Sequence, residues 1–265
     1  MNTTKKQSPL LFFLLTFMLT MPAYILVGLV SKNVFLKPDM AVFFIFLSAL
    51  APIGAALVLI YRENGKEGTK KLLKRSFDFK RITKKIWFIP IIFLMPLIFV
   101  IAYALLVLTG QSIPAARFSL MALPFLFLLF FILGIGEEVG WMGYTFDPLQ
   151  NKLGAFKATM ILGTIWAIWH VPFYIFIAGE LLACLLLPFC LFGTRIILVW
   201  LYNNTKQSVF GAICFHAMYN VSISVTPNYF FTSGIAVTCI LIMITVAIIV
   251  MLGGLKQKTL FYKLK

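Results

Sequence analysis

Acidic side chains are scarce in this chain. Eight Asp and Glu are spread over 265 residues, histidine occurs twice, and charged residues of both signs make up 12%. A soluble domain carries about 25% charged and about 45–50% apolar residues; here the hydrophobic share is 62% and the mean hydropathy +1.00. That shortage of charge excludes an ordinary soluble enzyme and reads as an integral membrane protein. The four cysteines, Cys184, Cys190, Cys214 and Cys239, form no C-x-x-C pair, so a thiolate zinc site has no support. All four fall in apolar segments and read as buried free thiols. No H-E-x-x-H occurs, so no compact motif pre-forms a catalytic zinc site. Internal repeats, on which many transporters are built, are lacking too, as are low-complexity tracts and domain boundaries. One integral membrane domain over residues 1–265 is the expectation.

What the chain does have is long apolar runs. Taken as spans of roughly 17–25 residues, they lie near 10–30, 40–61, 86–109, 119–144, 156–178, 180–202, 207–226 and 232–252. The fold class is therefore all-α, polytopic, with about eight transmembrane helices. The first run follows Lys5 and Lys6 as a signal peptide would, but it is long enough to span and no small-residue cleavage site follows. It reads as the first transmembrane helix. Gly179-Glu180 and Pro188 interrupt the sixth run, which is expected to be broken or kinked.

A net charge of +15 would suit nucleic acid, yet Lys and Arg sit almost wholly in the gaps between apolar runs. The positive-inside rule accounts for that distribution, and the expected partner is the lipid bilayer, with no nucleic acid. With the N-terminus inside, nineteen of the 23 Lys and Arg are cytoplasmic; Lys32, Lys37 and Arg117 are outside, and Arg195 lies within the sixth span. Both termini are thus expected in the cytoplasm of a multi-pass cell-membrane protein. Segment 62–85 carries ten basic residues interleaved with Leu72, Leu73, Phe77 and Phe79. It reads either as a short helix on an anionic leaflet or as a solvated basic loop.

Against this background the polar exceptions stand out. Glu137 and Glu138 close an apolar run that starts near Leu120, and the only histidines, His170 and His216, also lie inside apolar runs. A charged side chain near the bilayer centre costs roughly 2.5–3.5 kcal/mol on insertion scales, so an ionisable group there is a candidate functional site. Adjacent helical positions point about 100° apart: one carboxylate can face a reaction centre while hydrogen bonds hold the other as support. Gly134, Gly136, Gly140 and Gly143 surround the pair and allow close helix approach. Trp166 and His170 are four apart and share a helix face, as do His216 and Asn220. A His and an Asn amide together can donate two hydrogen bonds to a developing oxyanion, and the same pair can serve as interhelical glue.

Three motifs occur in order: Glu137-Glu138 followed by Gly140-Trp141-Met142-Gly143-Tyr144, then Trp166-x-x-x-His170 with Pro172, then His216-x-x-x-Asn220. Together with Trp200-Leu201-Tyr202-Asn203-Asn204-Thr205 they make residues 118–225 resemble the CPBP family. That family comprises CAAX proteases and bacteriocin-processing enzymes, also called abortive-infection or ABI proteins, and includes the type II CAAX prenyl endopeptidases. The resemblance implies an intramembrane endopeptidase acting on a peptide or protein that enters from the membrane or the cytoplasmic side. It implies Glu137 as general base, His170 as its partner, His216 and Asn220 as oxyanion stabilisers and Glu138 as a supporting acid. The family's Glu-Glu-x-x-x-Arg motif has Met142 in place of Arg here. Glu138 then needs a substitute cation such as Arg195; without one, a non-catalytic bacteriocin-immunity or scaffolding role is the alternative, and a solute transporter using a proton relay a more remote one. No cofactor is favoured. Should zinc be used, Glu137, His170 and His216 are its expected ligands; a metal-free route needs only a carboxylate base beside a water.

Overall fold

In lipid a backbone must satisfy its own N–H and C=O groups, so apolar runs of this length fold as helices. The computed structural model of the chain describes residues 7–31, 39–111, 113, 120–177, 181–227 and 231–254. Among them the regular structure is helical throughout. In chain order the α-helices are α1 (Pro9–Ser31), α2 (Asp39–Ala49), α3 (Ala51–Lys74), α4 (Phe88–Leu108), α5 (Leu123–Glu138), α6 (Asp147–Leu153), α7 (Ala155–Ile177), α8 (Leu181–Asn204), α9 (Val209–Val225) and α10 (Thr232–Gly254). Seven stretches of the described residues are long and apolar enough to cross a membrane, and α9 is a shorter apolar helix. The chain is a polytopic all-α membrane protein.

Three spans differ in detail from their expected form. The second breaks at Leu50 between α2 and α3, where Pro52 occupies the first turn of the new helix and its missing N–H costs nothing. From there α3 continues to Lys74, so half of the basic segment 62–85 is helix, kinked at Gly65 (φ 61°), and the remainder is largely short 3₁₀ turns. The sixth span is unbroken: α8 carries Pro188 inside it, while Gly179 and Glu180 lie outside the described residues. The fourth does not end as an α-helix. Beyond Glu138 the chain widens into eight π-helical residues, Val139–Phe146, all buried. Such turns are rare and concentrate at functional sites.

Close backbone approach fixes this π segment in place. A Cβ on Gly140 would stand 2.6 Å from the Pro52 carbonyl oxygen, and one on Gly136 2.7 Å from that of Ala49. Only glycine lets the α2–α3 break press against the glutamate-bearing helix. On the other side Phe12 and Trp169 pack their rings on Trp141 at 5.2 and 5.7 Å.

The basic segment is tied into the bundle rather than solvated throughout. Arg75 donates to the Gly143 carbonyl (2.8 Å), to Asp147 (2.8 Å), to the Tyr202 hydroxyl (2.6 Å) and to the Gln207 carbonyl (3.1 Å). One guanidinium thereby joins the π segment, α6, α8 and the turn into α9, which the rigid fork of five donors permits. Glu63 accepts from the Tyr144 hydroxyl at 2.7 Å. Asp78 takes the Ser208 hydroxyl (2.7 Å) and the Phe210 N–H (3.1 Å), a carboxylate at the positive end of α9.

Candidate active site

The polar exceptions of the sequence converge on one cavity. Glu137, Trp166, His170, His216 and Asn220 line a space of about 220 Å³ walled by apolar and aromatic side chains from α1, α2, α5, α7, α8 and α9. Glu138 sits behind it, fully buried. Sharing one pocket lets these groups solvate each other instead of each being immersed separately in lipid.

Glu138 is completely engaged. One oxygen accepts from Arg195 Nη1 at 2.7 Å and the other meets His216 Nδ1 at 2.7 Å. Arg195, wholly buried, also lays its guanidinium over the Trp166 ring, 3.9 Å from the centroid. The cation missing at Met142 is thus supplied from α8, and Met142 is itself packed in the core. Because the carboxylate facing Arg195 accepts, His216 donates through Nδ1, which fixes the ring and directs Nε2 towards Glu137, 3.8 Å away. The two neighbouring carboxylates therefore address opposite nitrogens of one imidazole.

Glu137 keeps one oxygen uncommitted. Its Oε2 accepts from the Trp166 indole at 3.0 Å, while Oε1, at 3.8 Å from His216, is beyond hydrogen-bond length. His170 Nδ1 lies 2.9 Å from the Trp166 carbonyl, which only accepts, so Nδ1 carries a proton and Nε2 of the neutral ring remains an acceptor. Trp166 orients both groups, the carboxylate through its indole and the histidine through its backbone. Trp169, three residues on, donates instead to Thr20 on α1 at 2.9 Å.

The zinc ligands expected from the sequence are Glu137, His170 and His216. Among the described residues the ligand atoms that gather within 4.8 Å belong to Glu137, Glu138 and His216; His170 lines the cavity but is not of that group. That buried group could hold a metal, although both Glu138 oxygens and His216 Nδ1 are already bonded and the Arg195 charge stands 2.7 Å from the carboxylate. Glu137 Oε1 and His216 Nε2 remain free within it, and His170 Nε2 lines the same cavity as a third nitrogen or oxygen donor.

Residues 118–222 match the model of the type II CAAX prenyl endopeptidase Rce1-like family. Over 240 residues the chain is 30% identical to a CAAX prenyl protease 2 of Methanococcus maripaludis, an alignment covering 84% of this chain and 86% of that protein. The chain belongs to this Rce1-like family. The matched region holds Glu137, Glu138, His170, Arg195, His216 and Asn220, yet the cavity draws on residues outside it. Tyr24 of α1, hydrogen-bonded to Ser48 of α2, lines the cavity with Ser48, and Arg75 braces the π segment beside the glutamates. Sequence reasoning passed over Tyr24 and Arg75. Tyrosine is unremarked in an apolar run, and Arg75 is hidden among ten basic residues of one segment; only a polar partner elsewhere in the chain distinguishes either.

Proposed function

We propose that this protein is an intramembrane endopeptidase in which Glu137 activates water against a peptide carbonyl. The observation that carries the reading is the division of labour between adjacent carboxylates: Glu138 is held on both oxygens by Arg195 and His216, while Glu137 faces the cavity with Oε1 free. In this reading Glu137 takes the proton of a water shared with His170, whose Nε2 can accept. The water oxygen attacks the carbonyl, and the oxyanion forms towards His216 Nε2–H and the Asn220 amide. Glu138 stabilises the imidazolium that this donation requires, as the buried acid of a Ser-His-Asp triad does. Proton return from Glu137 to the leaving amine completes hydrolysis, with no metal in any step. The substrate class is a membrane-associated peptide, and since the methanococcal relative is a CAAX prenyl protease, a prenylated CAAX peptide is the first to test. The charge distribution supports cytoplasmic termini.

The test is to reconstitute the purified chain in phospholipid vesicles with prenylated and unmodified CAAX peptides and to follow products by mass spectrometry. Cleavage at one bond, retained after treatment with a strong zinc chelator, is the expected result. Loss of cleavage on chelation, restored by zinc, would replace the water-activation step with a metal-assisted one. No cleavage of any peptide by a folded protein would favour the scaffolding role.

A further inference from the structure

The outward face of α3 carries a feature that the catalytic site does not use. Beyond the kink at Gly65, Lys66, Lys70 and Lys74 follow at i, i+4 and i+8 and stack in one stripe. All three are exposed, and none forms an ion pair among the described residues. With Tyr61, Leu73 and Phe77 they line an open groove of about 460 Å³ that contains no carboxylate. Like charges at this spacing repel by a few tenths of a kcal/mol per pair, so the stripe favours an external anion.

The apolar members identify that anion's source. Tyr61, Leu73 and Phe77 are 55%, 38% and 62% exposed, and Tyr61 stands where the apolar half of α3 gives way to its charged half. Aromatic rings of this kind sit at the headgroup level of a bilayer, and basic groups beside them attract anionic lipid. We propose that this groove is a binding site for an anionic phospholipid, the phosphate held by Lys66, Lys70 and Lys74 and the upper acyl chain lying on Tyr61, Leu73 and Phe77. The inner face of the same helix holds Glu63 against Tyr144 and Leu72 against Gly143. A lipid seated outside therefore clamps the helix that braces the π segment.

Lipid-stripped, detergent-solubilised full chain is titrated with dioleoylphosphatidylglycerol or dioleoylphosphatidylcholine while its melting temperature is followed. A ligand that binds only the folded state raises that temperature with concentration. Phosphatidylglycerol is expected to raise it by several degrees and phosphatidylcholine much less. K66Q/K70Q/K74Q should lose most of the difference, K70Q part of it, and K80Q/K84Q/K85Q, which removes the same charge from the neighbouring turns, almost none. Equal shifts with the two lipids would overturn the proposal, as would equal losses in both triple variants, which signify a diffuse basic field. Glycerol phosphate reproducing the full shift would overturn the lipid as occupant in favour of a free anion. The measurement needs no peptidase substrate, so its outcome is independent of the proposed reaction.

Discussion

Glu138 has no free oxygen, and that sets what its variants should do. Removing one partner of a buried ion pair costs about 3–5 kcal/mol, because the other charge is left unsatisfied. Arg195→Gln is therefore expected to lower the melting temperature sharply and to release the His216 ring, reducing cleavage as well; a melt within a degree of wild type would contradict the pairing. Met142→Arg, attractive from the motif alone, now looks harmful. With both Glu138 oxygens already taken, a second guanidinium at the fully buried position 142 is an added charge in a packed core, and the expected outcome is destabilisation in a thermal melt. At this scale the sequence was most readable where polarity conflicts with lipid: Glu137, Glu138, His170, His216 and Arg195 are conspicuous because each is costly in an apolar run. Arg195 could be named as the cation for Glu138 because the motif arginine is missing, and the two do pair; the histidine contacts were not readable, because they depend on helix rotation and on which ring nitrogen faces which oxygen. Tyr24 was missed for the opposite reason, since a tyrosine in an apolar helix conflicts with nothing.

At the scale of elements, the π segment and α3 form one mechanical unit. Gly140→Ala places a methyl group 2.6 Å from a backbone carbonyl, which cannot swing away as a side chain would. Overpacking of this kind costs typically about 1–3 kcal/mol, and because the strain falls two residues beyond Glu138, slower cleavage should accompany the lower melting temperature. Arg75 and Arg81 offer a contrast within one basic segment. Arg75→Ala removes four hydrogen bonds that join the π segment, α6, α8 and the turn into α9, whereas Arg81 is exposed, bonds the Lys206 and Gln207 carbonyls and forms a loose ion pair with Asp78 at 3.8 Å. A marked loss of stability is expected for the first and a change near zero for the second, measured as melts of the two purified variants. Span lengths were legible because hydropathy and bilayer thickness fix them together. The break at Leu50 and the π turn were not, since each arises where one helix presses on another.

For the whole molecule, the arrangement is a bundle whose first helices complete a site carried mainly by later ones. Thr20, Tyr24 and Ser48 reach the tryptophans and the cavity from α1 and α2, so a fragment restricted to the family-matched region would lack a wall of its own pocket. The expected orientation rests on charge alone: cysteine labelling on a background without the four native thiols should modify a cysteine at the exposed position 84 only after the membrane is permeabilised. Labelling by an impermeant reagent from outside would show the topology to be the inverse of the one expected. Lys5, Lys6, Lys32, Lys37 and Arg117, and the four lysines of the C-terminal segment, lie outside the described residues, and the expected orientation rests on their sequence positions.

The central claim is that Glu137 is the base and Glu138 its support, and cleavage by Glu137→Gln tests it most directly. Glutamine keeps the shape and can still accept from the Trp166 indole, but it cannot take a proton from water. General-base catalysis is worth about 10²–10⁴-fold; the account predicts a rate loss of that order with an unchanged melting temperature. A Glu137→Gln protein that cleaves at the wild-type rate, beside a folded Glu138→Gln protein that cleaves nothing, would contradict it.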